Sequence, residues 1–82
     1  MKICIIYDKK GKVPVFVGLS PAVEVFIREL TIACKNDSNL VYNLYPDDYV
    51  LICLELGIAS GDITVCNEVN FTDFIKKDVE NG

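Results

Sequence analysis

No histidine occurs anywhere in the chain. That absence removes the side chain that most often serves as a general base near neutral pH. The four cysteines, Cys4, Cys34, Cys53 and Cys66, include no C-x-x-C pair, so a zinc site would need four thiolates converging from distant elements. Each cysteine stands in an apolar pattern and is expected to be a reduced, small core residue. No apolar run approaches the ~20 residues of a membrane span. Lys2 is followed only by the short apolar stretch 3–6 before Tyr7 and Asp8, so no signal peptide is expected and the protein should be soluble. Neither a nucleophile elbow nor a P-loop is present. No catalytic residue, metal or cofactor is expected from these patterns.

What is present in quantity is apolar surface. Hydrophobic residues make up 51% of 82 residues, and a single domain of this length hides only about 60 to 65% of its unfolded surface. Part of that apolar content is therefore expected at a subunit interface, which makes a homo-oligomer the favoured state. Charge is unevenly divided. Residues 1–35 carry six basic and three acidic side chains, whereas residues 36–82 carry two basic and nine acidic ones. A basic edge on an acidic body follows.

Along the chain, "KICIIY" (2–7) and "VPVFVGL" (13–19) predict two strands joined by the charged turn "DKKGK". Pro14 cannot donate to a ladder, which points to an edge strand or the beginning of a strand. "SPAVEVFIRELTIACK" predicts a helix, with Ser20 as cap, Pro21 in the first helical position and Glu24 in the first turn. Val23, Phe26, Ile27, Leu30 and Cys34 form its apolar face, leaving Val25 and Ile32 as interface candidates. "LVYNLYPDDY" reads as extended. "YVLICLELG" (49–57) is apolar on both alternating faces through Leu54, which predicts a central strand buried on both sides. "IASGD" then turns the chain into a returning strand, "ITVCNEV" (63–69). "NFTDFIKKD" predicts a short helix capped by Asn70, with Val69 and Phe74 as a hydrophobic staple. The fold expected is α+β in ββαββα order, an antiparallel sheet packed on one main helix with a short C-terminal helix.

Asp47 and Asp48 stand between Pro46 and a strand, where acids commonly finish a turn through local hydrogen bonds. They lack the spacing of a calcium loop. "SGD" (60–62) is followed by a strand rather than a helix, so a hairpin turn accounts for it better than a phosphate loop. Lys9, Lys10 and Lys12 surround Gly11 at the first turn, with Tyr7 and Phe16 on the flanking strands. Lysines beside aromatic surfaces suit single-stranded nucleic acid, and Tyr42, Tyr45 and Tyr49 would extend such a surface if they lay nearby. The acidic total opposes that reading.

The pattern "IYDKK", "PVF", an Ala-x(5)-Arg helix and then "YPDDYVL…LG…SGDIT" resembles the small non-structural proteins of gokushovirus-like microviruses, phages with circular single-stranded DNA. The residues that carry the resemblance run from Ile6, Tyr7 and Asp8 through Pro14, Phe16, Ala22 and Arg28. They continue through Pro46, Asp47, Asp48 and Tyr49 to Leu56, Gly57, Gly61 and Asp62. "NFTDFIKKDVENG" departs from the family pattern. The resemblance implies a non-catalytic phage protein in the host bacterial cytoplasm, binding single-stranded DNA during genome synthesis or packaging. Lys9, Lys10, Lys12 and Arg28 would then contact phosphates, while Tyr7 and Phe16 stack on bases. Two other readings stay open. One is an oligomeric module that binds a host or phage protein, including in counter-defence, and the other is a small-ligand binder at a subunit interface.

Overall fold

The computed structural model describes residues 1–57 and 59–75. Strands β1 (Lys2–Asp8) and β2 (Val13–Ser20) pair antiparallel as the expected hairpin. Helix α1 (Val23–Asn36) follows, then one helical turn, α2 (Val41–Leu44), and a 3-10 turn at Pro46–Asp48. Strands β3 (Tyr49–Leu56) and β4 (Ile63–Asn70) form a second antiparallel hairpin, closed by a 3-10 turn at Phe71–Asp73. The sheet order is β2-β1-β3-β4, all antiparallel. The fold is mixed α+β, with the two hairpins joined through the central β1–β3 pair. No helix among the described residues is long and apolar enough to cross a membrane.

Sequence and structure differ at several places. The order is ββααββ followed by a 3-10 turn rather than ββαββα. The stretch read as extended before Pro46 contains α2, because the Asn43 side-chain amide donates to the carbonyls of Cys34 and Asp37, at 2.7 and 2.9 Å. Those bonds curl the chain back onto the end of α1 and satisfy carbonyls that the helix leaves free. At the other end, Ser20 does not cap α1. Its hydroxyl donates to the Ala22 carbonyl at 2.8 Å, and the helix starts after an extended Ala22 with no side-chain cap. Asn70 likewise makes no capping bond to the turn that follows it. The rest of the expected C-terminal helix, including Lys76 and Lys77, lies outside the described residues.

Both helices and both 3-10 turns contribute to one side of the sheet. Alternation along β1 and β3 sends Cys4, Ile6, Leu51 and Cys53 to that side, where they are 0–2% exposed. Val23 and Cys34 of α1 close over them, with Phe26, Ile27 and Leu30 packed alongside. Phe71 is fully buried and stacks within 4.9–5.9 Å of Tyr42, Tyr49 and Phe74. A buried Phe of this kind contributes roughly 2 to 3 kcal/mol by area alone. Val69 and Phe74, the expected staple pair, both pack against this core. β3 is central, as its apolar character required.

Candidate functional site

The β1–β2 turn is built around Asp8. Its carboxylate accepts from the backbone N–H groups of Lys10 and Gly11, at 2.9 and 3.0 Å. Its carbonyl accepts from Lys12 N–H at 2.7 Å. This is the local side-chain turn chemistry that Asp favours. Lys12, rather than the neighbouring glycine, takes the left-handed conformation, with φ 57°. Lys9, Lys10 and Lys12 are all exposed, and none forms an ion pair among the described residues.

The turn also carries acid. Lys9 N–H donates to the Asp48 carbonyl at 2.8 Å, which pins the lysine turn to the Pro46–Asp48 turn. Three lysines (Lys9, Lys10, Lys12) and three aspartates (Asp8, Asp47, Asp48) thus share one end of the sheet, and their formal charges balance. Tyr49 registers these acids: partial burial, then Asp8 and Asp48, push its phenol above the ordinary value. Asp47 and Asp48 are therefore turn residues with an electrostatic consequence. They offset the basic tip that a reading of the linear sequence isolates.

The two aromatic candidates are not brought together. Phe16 pairs with Ile6 and shares its side of the sheet. Its ring lies over Gly18, where an added Cβ would sit 2.8 Å from it, and against Phe26 at 5.7 Å. Tyr7 follows Ile6 in the same strand and so points to the opposite side. Arg28 is exposed on α1, in the helix layer, and no hydrogen bond or ion pair connects it to the turn among the described residues. Lys9, Lys10 and Lys12 form one cluster, while Tyr7, Phe16 and Arg28 stand apart from it on three different surfaces.

Three of the thiols, Cys4, Cys34 and Cys53, are buried. Cys4 and Cys53 face each other across β1 and β3, with Sγ atoms 3.9 Å apart. Burial first, then the neighbouring Cys4, pushes the Cys53 thiol up to about 12. Burial likewise raises Cys4 and Cys34. Neutral, enclosed thiols are poor nucleophiles and poor ligands. Cys66 differs from the expectation of a core residue. It is exposed because β4 bulges there, opposite the step between Cys53 and Leu54, and its thiol donates to the Cys53 carbonyl at 3.3 Å. Beside α1, a groove of about 300 Å³ is lined by residues that include Phe16, Phe26, Glu29, Leu30, Leu40 and Tyr42. One carboxylate in an apolar groove provides few of the convergent polar groups that orient a small ligand.

One further feature is the side of the sheet that the described helices leave uncovered. One cross-strand row there reads Leu19–Ile3–Leu54–Val65, and the next reads Val17–Ile5–Ile52–Glu68. The row at the Tyr7 end, Pro14–Tyr7–Val50–Asn70, is partly closed, with Val50 buried. At the open end the apolar side chains are in water: Leu19 is 68% exposed, Val65 66% and Val17 62%. Ile63 continues this surface beside Leu56. Glu68 is the one charged side chain in these rows. A sheet with a solvated face normally alternates apolar and polar residues, and this one does not. The sequence carries this signal in β3, as apolar alternation on both faces that predicts burial on both sides, whereas the described helices cover one.

Searches against protein-family models, curated proteins and solved structures find no match to this chain.

Proposed function

We propose that this chain is a non-catalytic association module whose working surface is the helix-free face of its sheet, which docks on an apolar surface of a partner protein. One observation carries the reading: β1 and β3 are apolar on both faces, and the described helices cover only one of them. An exposed, contiguous apolar patch of this kind marks an interaction site. The resemblance to the small microvirus proteins supports the cytoplasm of an infected bacterium as the setting, with a phage or host protein as partner. The test is photo-crosslinking in cells, with a photoreactive residue placed at Leu19 or Val65 and, as control, at Ile32 on the exposed flank of α1. Discrete protein adducts from Leu19 and Val65, and none from Ile32, are expected. Folded protein that yields no adduct from either sheet position would contradict the reading.

A second reading, single-stranded DNA binding at the lysine turn, has one observation in its favour. A lysine holds a left-handed backbone position next to an available glycine, and non-glycine residues in that region cost about 1 to 3 kcal/mol and cluster at functional sites. Opposing it are the three aspartates beside the turn, which reduce counterion release. Fluorescence anisotropy of a labelled oligonucleotide at several salt concentrations decides it. Three phosphate contacts on a single strand give a log–log salt slope of about −2. That slope should vanish in the triple variant Lys9→Glu, Lys10→Glu, Lys12→Glu. Absence of binding at low salt would remove this reading.

A further inference from the structure

We infer that the partner for the helix-free sheet face is a second copy of this chain, packed sheet against sheet about a two-fold axis to give a four-layer helix–sheet–sheet–helix dimer. The inference rests on the association reading above and names its occupant.

Geometry is the first support. Two sheets pack face to face about 10 Å apart when their inner faces are apolar and gently twisted. A sheet face is also close to self-complementary, as a two-fold interface requires. Four strands at ~4.8 Å spacing and about seven residues at ~3.3 Å give a face of roughly 20 by 23 Å, so a pair buries on the order of 1,000 Å². That is close to the threshold of about 1,000 Å² for a biological interface, which suits a weak dimer.

Charge is the second support. The rows contain no lysine or arginine, and their single acid, Glu68, lies on the edge strand β4. An apolar centre with its polar groups at the edge is the anatomy of a protein interface. A face without cations has nothing to offer nucleic acid. A strongly charged protein partner would find no complementary group there. Every copy of the chain carries the matching apolar surface. The lysine turn and the exposed side of α1 are left free on the outside of such a dimer.

Sedimentation equilibrium of the purified full chain tests this from about 1 to 500 μM, a range that brackets the micromolar end of interface affinities. The expected result is a monomer–dimer equilibrium. The double variant Leu19→Glu, Val65→Glu changes residues that are mostly solvent-exposed in the monomer, so its fold should survive. It should weaken the dimer by on the order of 100-fold, because carboxylates would be desolvated against apolar surface on both copies. Leu54→Thr, at the centre of the same row, keeps β propensity and should weaken it about tenfold. Ile32→Glu, on the flank of α1, should leave the constant unchanged.

A dimer that survives both sheet-face variants, or that is lost in Ile32→Glu alone, would overturn the inference in favour of an edge-strand or helix-flank contact. A wild-type monomer at every concentration would also overturn it. The two readings then separate by crosslinking. Adducts from Leu19 and Val65 to a different protein would sustain association while excluding the second copy, and no adducts at all would exclude both.

Discussion

The two sides of this sheet are made from the same residue types and meet different fates. On one side Cys4, Ile6, Leu51 and Cys53 are sealed under α1 and the aromatic cluster around Phe71. On the other, Ile3, Ile5, Ile52 and Leu54 lie between exposed Leu19, Val17 and Val65. Apolar alternation therefore records how many layers a strand is built to touch, and not how many its own chain supplies. The described residues supply one, and in the proposal above a partner supplies the other.

The sharpest way to break this contrast is to truncate one residue on each side. Phe71→Ala should cost about 3 to 5 kcal/mol in urea unfolding, since it empties the centre of the aromatic cluster. Leu19→Ala, measured at a concentration where the protein is monomeric, should cost less than ~0.5 kcal/mol. Similar losses at both positions would mean that the two sides are equally buried.

Alkaline titration probes the sealed side next. Cys53 is raised from the ordinary 9.0 to about 12, so the folded protein keeps a proton that the unfolded chain releases. Its contribution is fully present below pH 9 and is lost as pH rises toward 12, by at most ~4 kcal/mol. Cys53→Val should make that alkaline decline shallower. An unchanged profile would mean that the thiol is not enclosed.

Much of this architecture was legible in the residues. Strand positions followed from β-branched runs, the edge position of β2 from Pro14, and the apolar face of α1 from its spacing. What was not legible depended on contacts distant in sequence. The Asn43 amide reaching back to Cys34 makes α2 helical, and nothing within "VYNL" announces it. The balancing of Lys9, Lys10 and Lys12 by Asp47 and Asp48 depends on β1 pairing with β3, which brings residues about forty positions apart together. Tyr7 and Phe16 looked like a shared stacking surface because both flank the turn, but the pleat sends them to opposite sides. The open face was visible only as an excess of apolar residues, since periodicity cannot say whose side chains will cover it.

Two smaller effects sharpen the comparison at the edges of the sheet. Lys12→Gly should stabilise the protein by roughly 0.5 to 1 kcal/mol in thermal unfolding by relieving the left-handed backbone. No gain would mean that the turn relaxes around Lys12 in solution. Smaller still is the pair at the opposite end of β1, where the Lys2 ammonium donates to the Glu55 carboxylate. That hydrogen bond holds the Glu55 carboxyl below its usual range. Its support is present above the unfolded carboxylate value of about 4.3, and disappears as pH falls through the lower folded value. Both groups are solvent-accessible, so the effect is slight. Glu55→Gln should flatten the acid limb of the stability profile only marginally, and a large change would place this pair in a less hydrated setting.

The most direct measurement is carbene footprinting of side chains in cells expressing the protein, compared with dilute purified protein. If another protein surface covers the helix-free face, Val17, Leu19, Ile63 and Val65 should lose labelling in the cell while Ile32 keeps it. Equal labelling of those four residues in both settings, with Ile32 also unchanged, would contradict the account.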